Sequence, residues 1–267
     1  MDWGIHWHEP KIKPISFFRA RMRQMYNRQW SNANFKRIVN EMTLKNGFHG
    51  IWDDHDCGWD NVKVASLKET QNIKKIMYSR GQFYKHFPLS AAHNSIFYAH
   101  DTELARFIFL DNRSYATTLQ GNKNTLLGKK QLDFLEEQLQ HNKPLTFLCG
   151  GLTLATGKEC FASYIDDYTK ICEWSHQSPS KVIFLSGDIH KNCYNEPGDA
   201  PAANGIRPPF EITSSGMWGG TVNRHHRWCE LNISSGQEVD VAFHDKPGAV
   251  GTLSADCTAA LRRYLRQ

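Results

Sequence analysis

The chain has 267 residues, 40% of them apolar and 12% aromatic, enough to bury one sizeable core and to exclude wholesale disorder. Its formal charge of +5 comes with no run of five or more Lys and Arg, which argues against a dedicated nucleic-acid arm. No apolar stretch approaches the ~20 residues of a membrane span, and seven cysteines without CxxC spacing read as reduced, partly buried thiols.

In chain order, Pro14 followed by Ile15, Phe18, Met22 and Met25 has helical spacing, with proline where a first turn accepts it. Asn34 is placed to cap a second helix through Phe35, Ile38, Val39 and Met42, closed by Asn46-Gly47. The short apolar run 48–52 reads as a strand. It would set Asp53-Asp54-His55-Asp56 at a strand's C-terminal end, the edge where open α/β sheets hold ligands. Residues 62–87 are helical again. Two strands, 95–99 and 104–110, form a hairpin, and Asp111-Asn112-Arg113 lands just past the second.

Residues 128–141 form an amphipathic helix with Leu132, Leu135 and Leu139 on one face. Residues 145–149 are a buried strand and 163–176 a helix. Residues 181–186 are an apolar strand ending in Gly187-Asp188-Ile189-His190. The remainder turns β-rich at 210–213, 228–233 and 239–244, before a last helix from about Asp256. The expectation is one α/β domain over residues 1–267, a mixed sheet with a late antiparallel portion, in which three strands each end in a charged cluster.

The chemistry of those clusters points to metal. Asp53, Asp54 and Asp56 crowd three carboxylates around His55, and such carboxylates repel unless a cation neutralises them. Hard oxygen donors suit calcium, magnesium, manganese or iron. The competing reading is a solvated acidic loop. An extended Asp188-Ile189-His190 step would aim Asp188 and His190 to one side, toward one ion. A core His held by an Asp is the plainer reading of that pair. Arg113 offers either a fork for phosphoryl oxygens or one half of a structural Asp–Arg pair.

Five segments carry a family resemblance. They are Ile51-Trp52-Asp53-Asp54-His55-Asp56-Cys57-Gly58-Trp59-Asp60-Asn61, then Phe109-Leu110-Asp111-Asn112-Arg113-Ser114-Tyr115, then residues 127–135. Phe184-Leu185-Ser186-Gly187-Asp188-Ile189-His190 and Glu211-Ile212-Thr213-Ser214-Ser215-Gly216 complete the set. In this order, over roughly residues 48 to 216, they resemble the alkaline phosphatase D (PhoD-like) branch of the metallophosphatases. The resemblance implies a calcineurin-like sandwich of mixed β-sheets flanked by helices. It also implies two metal ions, calcium and iron (or manganese or magnesium), that activate water against a phosphate mono- or diester.

By that resemblance Asp53, Asp54, Asp188 and His190 belong to the metal site, His55 is catalytic and Arg113 neighbours the substrate phosphate. Met1-Asp2-Trp3-Gly4 looks like the end of the family's Gly-Asp-x-x-Tyr-x-Asp motif, with Asp2 its final Asp. The expectation is a chain that starts inside the motif, lacks the bridging Asp and first strand, and binds paired metals weakly. A non-catalytic remnant that still folds as a binding module is the alternative. A phosphoester small molecule is the expected partner, with no transmembrane segment. The N-terminus lacks the parts of a signal peptide, so the chain as it stands reads as cytoplasmic unless an export signal preceded Met1.

Overall fold

The structure is a computed structural model and describes residues 9–45, 47–118, 124–215, 227–234, 238–244 and 252–267. These fold as two compact units. One runs to Tyr98 and adds Asp111–Thr118; the other holds Ala99–Leu110 and the described residues from 124 onward.

The first unit is helical: α1 (Glu9–Ile12), α2 (Ile15–Ser31), α3 (Ala33–Leu44), α4 (Asp54–Cys57), α5 (Thr70–His86) and α6 (Pro88–Ala92). Helix α2 follows Pro14 and buries Phe18, Met22, Met25 and Tyr26, one stripe at helical spacing. Asn32, not Asn34, caps α3. Asn32 has the extended backbone (φ −66°, ψ 119°) that a cap requires, and its side chain accepts from the Phe35 N–H at 3.0 Å. Asn34 already lies inside the helix. Lys75 of α5 is fully buried and donates to the carbonyls of Pro10 (3.0 Å) and Lys11 (2.7 Å), tying α1 to α5.

Residues 48–52 correct the expectation of a strand. They lie outside the helices and strands and pack on helices. Phe48 stacks on Phe87 at 5.1 Å, and the Gly50 carbonyl accepts from Ser90 Oγ at 3.0 Å. A Cβ on Gly50 would lie 2.4 Å from the Phe87 ring, so only glycine fits there. The acidic cluster therefore opens a helix instead of closing a strand.

The second unit is built on β1 (Tyr98–Asp101, from Ala99 onward), β2 (Ala105–Phe109), β3 (Leu145–Cys149), β4 (Lys181–Ser186), β5 (Asn192–Asn195) and β6 (Phe210–Ser214). Their order is β1-β2-β3-β4-β6-β5, with β2, β3, β4 and β6 mutually parallel and β5 antiparallel to β6. Helix α7 (Gly128–Leu139) connects β2 to β3, and α8 (Ile165–Gln177) connects β3 to β4. The first four residues of β3 are all buried, as a parallel strand covered on both faces demands.

Leu145, Phe147 and Ile183 pack on one face with Val241 and Phe243 of the hairpin β7 (Trp228–Ile233) and β8 (Val239–His244). Leu261 and Leu265 of α9 (Thr252–Arg266) complete that layer. Buried carboxylates pin the loops. Asp167 accepts from the backbone N–H groups of Leu126 and Leu127, and Glu211 accepts from Leu154 N–H, Ser186 Oγ and Asn195 Nδ2. The architecture is mixed α/β with a six-stranded mixed sheet flanked by helices. Among the described residues no helix is long and apolar enough to cross a membrane.

Candidate metal centre

The first cluster folds onto itself. Asp53 is the N-cap of α4, and Asp56 at the third helical position accepts from the Asp53 N–H at 3.1 Å, completing a capping box. The second oxygen of Asp56 accepts from Tyr26 Oη at 3.3 Å. Asp54 takes the His55 N–H on one oxygen (2.7 Å) and the Asn61 N–H on the other (2.8 Å).

The Asn61 bond closes a return of the chain. It needs two positive φ angles, Gly58 at 133° and Asn61 at 52°, conformations that glycine and asparagine tolerate best. The return carries Asp60 back toward His55, with Nε2 to Oδ1 at 4.0 Å.

Asp54, His55 and Asp60 thereby each present a donor atom within 4.8 Å of the others. Asp54 is buried; His55 and Asp60 are half-exposed, so an ion has a way in. Burial works against the charge on Asp54. Arg113, His55 and the two N–H donors outweigh it and hold the carboxyl below its ordinary range. Burial outweighs the Asp53 N–H on Asp56 and, with the charges of Asp53 and Asp54, pushes its carboxyl up.

Arg113 lies at the centre of this balance. Its side chain is fully buried, and Nε donates to Asp53 Oδ1 at 2.5 Å. Burial disfavours its charge, but Asp53 and Asp54 more than restore it and raise its basicity. Asp111 Oδ1 gathers three donors of this region. That oxygen accepts from Trp52 Nε1 (2.7 Å) and from the N–H groups of Arg113 (3.0 Å) and Ser114 (2.9 Å). Trp52 in turn lies under the Arg80 guanidinium, 5.1 Å from its ring centre. Segment 111–114 is thus a buried brace for the acidic turn.

Residues 187–190 belong to the second unit and depart from the extended step expected of them. Asp188 (φ 65°) and His190 (φ 55°) both sit in the left-handed region. The Ile189 N–H donates to the Gly187 carbonyl at 2.8 Å, forming a three-residue turn of the strained hand. Neighbouring groups impose this path. Gly187 N–H donates to Gly151 O (3.0 Å), His190 N–H to Ser215 Oγ (3.2 Å), and Arg227 Nη1 to His190 O (2.6 Å). Among the described residues Asp188 and His190 join no group of three His, Cys, Asp or Glu donors. Asp2 lies outside the described residues.

Asp60 is the site residue that pattern reading passed over. It stands inside the first family-like segment, and the signal for it was the Gly58 and Asn61 pair that bends the chain around it. In comparisons with known proteins, no family model and no curated protein matches this chain.

Proposed function

We propose that the chain is a PhoD-like metal-dependent phosphoester hydrolase, on a calcineurin-like variant of its mixed α/β architecture, with Asp54, His55 and Asp60 holding one divalent cation. The observation that carries this reading is the convergence of those three donors within 4.8 Å, inside the segment that most closely resembles the family. The donor chemistry fits. Each oxygen of Asp54 accepts an N–H and keeps a further lone pair. Arg113 cancels only part of the negative charge of Asp53, Asp54 and Asp60. Two carboxylates and an imidazole suit manganese or iron better than a purely oxygen-seeking ion.

When bound, such an ion supplies polarisation of a phosphoryl oxygen and an acidified water. The protein's own contribution is to fix the donors. The N–H groups of His55 and Asn61 lock Asp54, and the capping box with Arg113 locks the turn that carries His55. His55 serves in this reading as a ligand, a different role from the acid that the family resemblance implies. Arg113 is a positioning residue behind the turn. Asp188 and His190 remain the resemblance's candidates for a second ion.

A second reading is a folded, non-catalytic binding module. It is supported by the same hydrogen bonds, since Asp53 and Asp56 are fully engaged in capping and pairing. Hydrolysis of a chromogenic mono- and diester with added manganese or iron separates the two. Metal-dependent turnover that His55→Ala removes supports the hydrolase. Absence of turnover under every metal, with the metal still bound, supports the module.

A further inference from the structure

The first three helices concentrate the positive charge of the chain. Residues 9–45, the span of α1 to α3, contain nine Lys and Arg against two Glu, while the other residues together are slightly acidic. Helix α3 buries only Val39. Its apolar stripe Phe35, Ile38, Val39, Met42 is left largely open, with Ile38 54% and Met42 42% exposed, and Leu44 at its end is 88% exposed. Lys36, Arg37 and Lys45 stand exposed around these residues, and Arg23 and Arg28 are exposed on α2. None of these five takes part in an ion pair among the described residues.

We infer that this face of α3, with the cations of α2, docks on an anionic lipid surface. A short helix with an open aliphatic stripe between unneutralised cations has the make-up of an interfacial helix, which sinks its apolar side chains among acyl chains and sets its cations against anionic headgroups. Charge alone would equally suit nucleic acid. The most exposed groups on α3, Ile38, Met42 and Leu44, are aliphatic, however, and Phe35 is engaged edge-on with Trp30, 5.0 Å between ring centres, so a base finds no open ring face to stack on. A second copy of the same face would bring like charges together. A lipid surface is the occupant that satisfies both the apolar and the cationic groups. This inference does not rest on the hydrolase reading.

The test is co-sedimentation of the full chain with vesicles of about seven parts phosphatidylcholine to three of phosphatidylserine, beside pure phosphatidylcholine vesicles and a fluorescent single-stranded oligonucleotide. The expected result is binding to the anionic vesicles alone, weakened as salt rises from ~0.1 M to ~0.5 M. Lys36→Glu with Arg37→Glu should weaken it by roughly 25-fold or more, at about fivefold per cation. Ile38→Ser with Met42→Ser should weaken it by roughly tenfold. Both pairs are exposed, and unchanged thermal unfolding verifies that the variants are folded. Equal binding to the neutral vesicles, binding to the oligonucleotide only, or full binding by the Ile38→Ser, Met42→Ser variant would overturn the inference.

Discussion

The turns at residues 53–60 and 187–190 look alike as strings of Asp, Gly and His, yet the fold treats them in opposite ways. In the first, the local hydrogen bonds satisfy the carboxylates and a buried Arg113 stands behind them, so the chain path is overdetermined and the donors converge. In the second, bonds to the backbone of Gly187, Ile189 and His190 hold Asp188 and His190 in left-handed conformations. A cluster is made into a site by what fixes its side chains. Strain of ~1–3 kcal/mol per residue persists where surrounding bonds impose it.

Four substitutions or titrations probe that contrast. The largest effect belongs to Arg113→Ala. It leaves Asp53 and Asp54 without their buried counter-charge and should cost about 3–5 kcal/mol in urea unfolding. A loss under ~1 kcal/mol would mean the turn holds itself. Trp52→Phe removes the indole donor to Asp111 and should cost about 1–3 kcal/mol by the same measurement. Asp188→Gly goes the other way. Glycine accepts the φ of 65° without a side-chain clash, and stability should rise by up to about 1 kcal/mol. A drop in stability would show that the Asp188 side chain, not the backbone path, secures the second turn.

The smallest effect is one of pH. Asp101 is held below the ordinary carboxylate range by its two hydrogen bonds with Arg106, against some burial. A depressed carboxyl contributes stability that is fully present at neutral pH and lost as pH falls through the folded-state value. Arg106→Met should therefore lower stability at neutral pH and flatten its decline below about pH 4. An unchanged acid limb would assign that decline elsewhere.

Much of the second unit was legible in the sequence. Strands β3, β4, β7 and β8 coincide with the runs expected because buried aliphatic and aromatic residues at a strand's length leave little choice. Strand β5, Asn-Cys-Tyr-Asn, was not legible. It is polar and pairs with β6 alone at the sheet edge, so no apolar pattern marks it. The run 48–52 misled for the converse reason: it is apolar because it packs on α5 and α6, and burial against helices writes the same signature as burial in a sheet.

The candidate site was half legible. Composition and spacing singled out Asp54 and His55. Asp60 depends on a chain reversal through Gly58 and Asn61, which a helix- or strand-period reading does not register. Nor does sequence say that the Asp–Arg pair joins Asp53 to Arg113 across sixty positions.

The most direct test of the proposed metal centre is manganese binding by isothermal titration to the native chain and to His55→Ala with Asp60→Asn. That pair of substitutions leaves the N–H bonds of Asp54 and the Arg113 pair intact, so the turn persists. The variant is expected to lose one bound ion per chain while its unfolding is unchanged. Undiminished binding by the folded variant would contradict it.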